Sequence, residues 1–307
     1  MIKRLLTIPK KRLLKKILGY DEIYTVALRK CNEKTLPQGN TEVPFVPIKY
    51  SRKYWYADPI LFTYKGKEYL FVEEFDRNTS KGQLAVAEVL DSPKDMEFRT
   101  VISEPYHMSF PMVFEWNEKI FMIPETSENY SINIYQAVDF PYKWKCISCI
   151  KTEKKYVDSV VLEKNNRNLT LLTSEVCDGN PLKVRFKKIV IDIDKLKIII
   201  PDIKFNKAQI YNLIDRNAGP IVKIDNHEIL STQESTCIDY GVSLAFRQTT
   251  EISAIISKYG VKDIIIDDLE KRNMVGIHTY SKTDKYEVID VRYLKFSPLL
   301  QYRKLLK

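Results

Sequence analysis

Histidine and cysteine are scarce in this chain, which has three histidines and five cysteines in 307 residues. The pair Cys146-Ile-Ser-Cys149 has the spacing of half a zinc site, but no second pair or neighbouring histidine completes it. The sequence therefore predicts no transition metal and no organic cofactor. Structural calcium in a central channel stays open as an alternative. The odd number of cysteines favours unpaired thiols in a reducing compartment.

Long apolar runs are also missing. No stretch approaches the roughly 20 apolar residues that a membrane-spanning helix needs, and no uninterrupted run matches the core of a signal peptide. We therefore expect a cytoplasmic protein. A hydrophobic content of 44% is enough for the core of one large domain or two ordinary ones.

A basic surface for nucleic acid is not expected on the body of the protein. The net charge is +9, but residues 1–20 hold seven basic residues and no acid, and residues 291–307 hold five and none. Without those twelve, 37 basic residues stand against 40 acidic ones. We therefore predict no nucleic-acid partner.

The two basic ends have an amphipathic pattern. Residues 1–20 interleave leucines with lysines at helical spacing and reach Gly19, which predicts a basic amphipathic helix. The tail 296–307 repeats this chemistry. One interpretation is peripheral contact with the inner face of the plasma membrane. The other is a solvated helix that packs on the domain through its leucines.

One hairpin pattern recurs five times along the chain. DPILFTYKGKEYLFVEE (58–74) aligns without a gap to FPMVFEWNEKIFMIPET (110–126). The same frame fits 158–175 with one insertion, 219–235, and 278–290 more loosely. Each copy reads as a strand, a polar turn and a second strand, which is typical of a β-hairpin. Two further strands follow each of the first four copies.

Strands grouped in fours that recur roughly every 45 to 60 residues predict an all-β, five-bladed β-propeller over residues 21–295. We expect blades at about 58–102, 106–150, 157–201, 218–257 and 276–295, the last completed by the N-terminal strand 23–31. The alternative is a β-sandwich with chance similarity between hairpins.

The repeats predict a common pocket, because the innermost strands of a propeller line its channel. Asp58 is expected to start the first innermost strand, with Asp158 and His278 at matching positions. The second hairpin strands add Glu73, Glu74 and Glu125, and aromatic residues form a rim at Tyr54, Trp55, Tyr106 and Tyr240. Carboxylates surrounded by aromatic rings suit a sugar, since rings stack on its C–H faces and carboxylates accept its hydroxyl groups.

A family resemblance rests on the segments YADPILF, PYHMSFPMVFEWNEKIFMIPETSE, VDSVVLE, RNAGPIV and GIHTYSKTDKYEVIDVR. They resemble the five-bladed propeller at the N-terminus of plant glucosamine inositolphosphorylceramide transferases and in bacterial proteins of surface-polysaccharide gene clusters. The resemblance spans roughly residues 20–295. More distantly, the Asp-Pro at 58 is similar to the start of five-bladed glycoside hydrolases of the family 43 kind.

The resemblance implies roles for individual residues. Asp58 would be the catalytic base or would stabilise the anomeric centre, with Glu125 or Asp158 as a second catalytic carboxylate. Phe110 occupies a position where the hydrolases are expected to carry another aspartate, so their full set is not reproduced. Substrate-binding roles fall on Arg216, Gln233, Tyr240, His278 and Asp290.

Each assignment has a plainer alternative. Asp58 would only start a strand, Arg216 would pair structurally with a neighbouring acid, and His278 would be an ordinary hydrogen-bonded histidine. An arginine and a histidine beside carboxylates would otherwise suit a phosphorylated donor. His107 and His227 are assigned to a loop and a turn, with no role.

The expected function is a cytoplasmic glycosyltransferase of surface-polysaccharide biosynthesis, such as capsule or O-antigen. Its partners would be an activated sugar donor and a glycan or lipid-linked acceptor. A glycoside hydrolase and a non-catalytic sugar-binding module are the alternatives.

Overall fold

The computed structural model describes residues 19–31, 43–192, 195, 197–199, 216–224, 227–236, 239 and 241–296, without the side chains of 252–254. These residues form five antiparallel sheets of four or more strands. Each sheet contacts the next one around the ring, and the fifth contacts the first. The predicted all-β, five-bladed propeller is therefore confirmed, and the sandwich alternative is wrong.

The strands in chain order are β1 (Tyr20–Lys30), β2 (Val46–Pro47), β3 (Tyr54–Tyr64), β4 (Lys67–Asp76), β5 (Lys81–Glu88), β6 (Arg99–Ile102), β7 (Ser109–Trp116), β8 (Lys119–Thr126), β9 (Ser131–Asp139), β10 (Lys143–Lys151), β11 (Tyr156–Lys164), β12 (Asn168–Cys177), β13 (Asn180–Asp192), β14 (Lys197–Ile199), β15 (Arg216–Asn217), β16 (Val222–Ile224), β17 (His227–Glu234), β18 (Ser243–Gln248), β19 (Glu251–Gly260), β20 (Met274–Lys282) and β21 (Tyr286–Phe296). Short 3₁₀ turns occur at Pro93–Asp95, Ser127–Asn129 and Lys271–Asn273.

Four blades are consecutive in the chain and the fifth is not. Blades one to four are β3–β6, β7–β10, β11–β14 and β15–β19, each running outward from the axis. Blade five has the order β20, β21, β1, β2. Its two middle strands pair without a break from Tyr20 opposite Phe296 to Lys30 opposite Tyr286. Strands from distant parts of the sequence thus close the ring.

Each blade buries both of its faces against neighbours, as a propeller requires. Separate apolar clusters fill the interfaces, with Leu70 between blades five and one, Phe71 between one and two, and Leu171 between two and three. Leu230 lies in the cluster of blades two to four, and Phe246 in that of blades four and five. Burial of side chains of this size stabilises each interface by about 1.5–3 kcal/mol per side chain.

A β-bulge interrupts four of the innermost strands at the same repeat position. Pairing skips from Ala57 to Ile60 in blade one, and equivalent skips occur at 109–112, 157–160 and 277–280. In blade four the chain leaves the ladder between β15 and β16. A bulge releases backbone groups from the ladder and redirects side chains. It therefore determines which residues meet at the axis.

The bulges correct one expectation. Asp58 does not start its strand, because β3 begins at Tyr54 and Asp58 lies inside the bulge with a φ of 49°. Phe110 and Asp158 occupy the same left-handed conformation, with φ of 47° and 49°. The interpretation of Asp58 as a residue that merely begins a strand is wrong.

The predicted helical extensions, 1–20 and 296–307, lie outside the described residues except at their inner ends. There Gly19 belongs to a turn, and Tyr20 and Phe296 are paired strand residues. The structure therefore does not support these helices. Within the described ranges, no helix has both the length and the apolar character needed to cross a bilayer.

Replacement of Gly219 by alanine should destabilise the ring strongly. Gly219 has a φ of +150°, and a Cβ there would lie 1.8 Å from the carbonyl oxygen of Tyr280 in blade five. Because this atom is backbone, we expect the free energy of unfolding to fall by about 3 kcal/mol or more. Chemical denaturation followed by circular dichroism measures the change.

Gly66→Ala is the matched control, since its φ is +78° but nothing lies within 4 Å of the added Cβ. Only the cost of the left-handed backbone, about 1–2 kcal/mol, is expected there. Equal losses in the two variants would contradict the steric argument.

Candidate functional site

A cavity of about 260 Å³ lies at the axis, and all five blades contribute to its wall. The residues that line it are Tyr24, Trp55, Asp58, Glu73, Phe75, His107, Ser109, Glu125, Asp158, Arg216, Gln233 and His278. The structure thus brings together eight of the residues that the sequence singled out: Trp55, Asp58, Glu73, Glu125, Asp158, Arg216, Gln233 and His278.

Groups from blades two and five hold Asp58. Its backbone N–H, released by the bulge, donates to Oδ2 of Asp290 at 2.9 Å. Its carboxyl accepts from the hydroxyl of Thr279 at 2.9 Å and from the backbone N–H of Phe110 at 3.1 Å. Phe110 therefore contributes its backbone to the site, while its side chain packs in the apolar cluster of blades two to four. The carboxyl of Asp58 is fixed in position.

His278 lies between two carboxylates. Its Nδ1 is 2.6 Å from Oδ2 of Asp290 and its Nε2 is 3.6 Å from Oδ1 of Asp58. Burial lowers the pKa of His278, but the attraction and hydrogen bond of Asp290, with Asp58, outweigh burial and raise the pKa above its ordinary value of 6.5. The ring also stacks on Tyr24, with centroids 4.7 Å apart.

Asp290 supports the wall of the cavity and does not form it. Its side chain is fully buried behind His278. It accepts the backbone N–H groups of His278 and Thr279, at 3.3 and 2.8 Å, which the bulge in β20 leaves without ladder partners. The sequence-based assignment of Asp290 to substrate binding therefore does not match its place, which is to anchor the bulge.

A second charged cluster occupies the opposite side of the axis. Nε of Arg216 donates to Asp158 at 2.5 Å, and its NH2 group donates to Glu125 at 3.3 Å. Gln233 donates to Asp158 at 3.3 Å and to the carbonyl of Asn217 at 2.9 Å. Burial raises the pKa of Asp158 to about 7, although Arg216 lowers it in part. Two carboxylates therefore already hold the guanidinium.

Glu73 is the carboxyl group with the fewest partners on the wall. It is 6% exposed, and no hydrogen bond to its carboxyl is present among the described residues. Burial raises its pKa well above 4.5, and the neighbouring carboxylates, Asp58 and Glu125 foremost, raise it further. Both effects favour the neutral, protonated form of the Glu73 carboxyl.

His107 lies in a loop, as predicted, and its side chain lines the cavity and faces Glu73. Its Nδ1 accepts the backbone N–H of Gly82 at 2.9 Å, so the proton of the neutral ring is on Nε2, 3.6 Å from Oε1 of Glu73. Burial lowers the pKa of His107. A Cβ on Gly82 would lie 2.5 Å from Glu73 and 2.8 Å from His107. Glycine at this position makes room for both side chains.

Aromatic rings form one continuous side of the cavity. Trp55 stacks on Phe75 with centroids 4.3 Å apart and planes 9° apart, and Tyr24 lies 5.2 Å from Trp55. The sequence did not single out Tyr24 or Phe75 as site residues. Such a wall offers an apolar face to one side of a sugar ring.

Strand alternation explains two predicted residues that are not on the wall. Successive side chains of a strand point to opposite faces. Glu74 turns away from the cavity beside Glu73 and accepts from Gln83 and Thr100, at 2.6 and 2.7 Å. Tyr54, next to Trp55, points away from the cavity, and the Nζ of Lys53 lies 4.5 Å from the centroid of its ring.

Of the two remaining aromatic rim residues, Tyr106 does not line the cavity. The hydroxyl of Tyr106 accepts from Asn133, and the ring packs between blades one and two. Tyr240 lies outside the described residues.

A metal-like grouping occurs once in the described part of the chain. Ligand atoms of Asp58, His278 and Asp290 lie within 4.8 Å of one another. These atoms are already joined to each other, to Thr279 and to Phe110 by the contacts above. The grouping is therefore a hydrogen-bonded network. Structural calcium in the channel stays an alternative that these contacts do not test.

Asp290 should control the protonation of His278. We expect Asp290→Asn to lower the pKa of His278 below its wild-type value, since burial is then less opposed. Titration followed by ¹⁵N NMR of the imidazole measures this. Because the folded state binds the proton more tightly, the stability that the pair contributes is fully present below pH 6.5 and is lost as pH rises through the folded-state pKa. An unchanged or higher midpoint in the variant would contradict the assignment.

Comparisons with known proteins agree with this architecture. The chain is 36% identical over 107 residues to glucosamine inositolphosphorylceramide transferase 1 of Arabidopsis thaliana, and 31% identical over 108 residues to that of Oryza sativa subsp. indica. These regions are 34% and 35% of this chain but only 14% of each relative. The chain thus matches a small part of the length of these relatives.

One solved structure shares this fold at low identity. The catalytic domain of Coprinopsis cinerea GH62 α-L-arabinofuranosidase aligns with a TM-score of 0.50 and 11% identity, covering 87% of this chain and 97% of that domain. An exo-1,5-α-L-arabinanase from a bovine ruminal metagenomic library aligns with a TM-score of 0.47 and 14% identity, covering 80% and 99%.

The family model described as glucosamine inositolphosphorylceramide transferase 1, N-terminal, matches residues 47–219, which is more than half of the chain. The resemblance found in the sequence is therefore confirmed, and the chain belongs to the family of glucosamine inositolphosphorylceramide transferase 1 N-terminal domains.

Proposed function

We propose that the axial cavity binds one sugar ring and acts on its glycosidic bond, transferring the sugar to a glycan or lipid-linked acceptor during assembly of a surface polysaccharide. The observation that carries the proposal is the buried carboxyl of Glu73, whose surroundings raise its pKa, on the same wall as the fixed carboxyl of Asp58. The relatives named as glycosyl transferases, and the propeller fold shared with enzymes named for arabinose-containing substrates, support a carbohydrate role.

The size of the cavity supports a single ring. About 260 Å³ is below the range of roughly 300–1,000 Å³ typical of pockets for drug-sized ligands. The wall of Trp55 and Phe75 offers a flat apolar face, while the opposite side carries only polar groups. The rest of a glycan would then lie outside the cavity.

The two carboxyl groups differ in ways that suit an acid and a carboxylate. Burial raises the pKa of Asp58 as well, but His278 and the hydroxyl of Thr279 favour its charged form. Among the described residues Glu73 has no such hydrogen bonds, and burial and the neighbouring carboxylates raise its pKa, which favours its protonated form. Environments that separate two carboxyl pKa values mark acid and base roles in glycosidases.

The proposed steps follow from this difference. Glu73 gives its proton to the leaving oxygen as the glycosidic bond breaks, and Asp58 stabilises the positive charge at the anomeric carbon. Asp58 then takes the proton of the acceptor hydroxyl as the new bond forms. His107 positions Glu73, since its Nε2–H faces the carboxylate that the proton transfer leaves.

Hydrolysis is the second candidate, because the same acid and carboxylate act when water is the acceptor. A non-catalytic sugar-binding module is the third, and it would use the same cavity without turnover.

Glu73→Gln should lower turnover by about 100-fold or more, since general acid catalysis contributes about 10²–10⁴. Glu74→Gln is the matched control, because that neighbouring carboxyl faces away from the cavity. Labelled nucleotide sugars and aryl glycosides, each with water, a glycan or a lipid-linked acceptor, distinguish transfer from hydrolysis.

Turnover that persists in Glu73→Gln would overturn the assignment of the acid. Sugar binding without turnover of any donor would favour the binding module. Asp58→Asn should abolish turnover in the same assay and retain the fold.

A position at the inner face of the membrane is also part of the proposal, supported by the basic segments 1–20 and 291–307. The protein should float with vesicles that contain anionic lipid and not with neutral ones. Replacing Lys15 and Lys16 by glutamine should weaken binding by about 2 kcal/mol, at about 1 kcal/mol per basic residue. Equal binding to both kinds of vesicle would contradict an electrostatic contact.

A further inference from the structure

We infer that the sugar ring entering the cavity carries hydrogen-bond donors and no negative charge, so that uronic acids and phosphate groups are kept out of it. This inference rests on the proposed function, because it specifies which sugars the same cavity accepts. It comes from the charges and hydrogen bonds of the wall.

Four carboxyl side chains surround the cavity, and little of each is exposed: 8% for Asp58, 7% for Glu73, 11% for Glu125 and 4% for Asp158. They come from blades one, two and three and converge on one small volume. Repulsion between like charges is stronger in such a poorly solvated site than in water. An anionic ring would face this repulsion from Asp58, Glu125 and Asp158, the carboxylates that contact His278 or Arg216, whereas Glu73 acts as the protonated acid.

Each basic side chain of the wall either contacts an acidic residue or is uncharged. Arg216 contacts Asp158 at 2.5 Å and Glu125 at 3.3 Å. His278 contacts Asp290 at 2.6 Å. His107 accepts an N–H at Nδ1, which requires an unprotonated nitrogen there and hence a neutral ring. Among the described residues, the wall therefore presents no cation that is available to balance an anion.

Glu73 gives an independent indication of a ligand. Its side chain is more than nine-tenths buried on the wall of the cavity, and its carboxyl has no hydrogen bond among the described residues. Buried polar groups are almost always paired, and an unpaired one is costly. A sugar hydroxyl satisfies it, because a hydroxyl accepts from the acid and donates to its carbonyl oxygen.

This charge pattern also bears on the donor. A diphosphate leaving group inside the cavity would meet the carboxylates, whereas a glycoside oxygen would meet the acid Glu73. The wall therefore favours a donor with an uncharged leaving group on the anomeric carbon, such as a glycoside, over a sugar phosphate.

The test uses matched sets of three sugars with the same ring configuration. Each set contains a methyl glycoside, the corresponding 2-amino-2-deoxy sugar and the uronic acid, in the gluco, galacto and manno series. Affinity for the full chain is measured by calorimetry and saturation-transfer NMR at pH 7. Within the series that binds, we expect the uronic acid to bind at least tenfold more weakly than the uncharged glycoside and the amino sugar at least as tightly as it.

A uronic acid that binds as tightly as its uncharged counterpart would overturn the inference and leave the proposed sugar site standing. Failure of every sugar to bind would overturn both. Binding of uncharged sugars without turnover of any donor would leave the inference intact and remove the catalytic part of the proposed function.

Glu125→Gln tests the cause, because it removes one negative charge from the wall at nearly constant shape and leaves Arg216 less neutralised. The tenfold difference in affinity between the uncharged and the anionic sugar, the affinity gap, should become smaller. Glu74→Gln removes one charge off the wall and should leave the affinity gap unchanged. Circular dichroism verifies folding, and Asp158→Asn replaces Glu125→Gln if the latter does not fold. An unchanged affinity gap in a folded wall variant would contradict the electrostatic explanation.

Discussion

Pairing of β1 with β21 is the interaction on which both the ring and the site depend. These strands join opposite ends of the sequence over eleven residue pairs, so that blade five exists only when both are in place. The same pairing sets Tyr24 opposite Arg292 and Val26 opposite Asp290. Tyr24 then stacks on His278, and Asp290 reaches the backbone of Asp58 in blade one. Closure of the ring and assembly of the cavity wall are therefore the same event.

Much of the fold could be predicted because the hairpin repeats in the sequence, and each copy must bury both faces. The bulges could not, since pairing in the ladder is a backbone property that the residue types at 58, 110 and 158 do not reveal. Glu73 and Glu74 show the same limit in a strand, where alternation allows only one of two adjacent acids to face the axis. His107 was detectable: it precedes Phe110 by three residues, as Trp55 precedes Asp58.

The chemistry of the cavity depends on the different surroundings of its carboxyl groups. The carboxyl of Asp58 accepts hydrogen bonds from a backbone N–H and a hydroxyl and lies near the imidazole of His278. The carboxyl of Glu73 has no hydrogen bond among the described residues, and Nε2 of His107 lies 3.6 Å from its Oε1. Asp158 forms an ion pair with Arg216, which also contacts Glu125. Burial acts on all of these acids, so the neighbours decide which of them holds a proton. Residue type alone does not carry this information, which is why the proposal of Glu73 as the acid depends on its surroundings.

The repeated bulge allows the side chains at the axis to differ while the strand pairing of the blades stays the same. At the axis, the bulge positions carry an aspartate in blades one and three, a buried phenylalanine in blade two and a histidine in blade five, yet the strand pairing around them is alike. The strand pairing keeps these sites equivalent, and the left-handed backbone recurs at Asp58, Phe110 and Asp158, while the side chains differ. Such a scaffold is evolvable in a specific sense: exchange of a few axial residues alters the ligand that is recognised, and the interfaces between blades need not change.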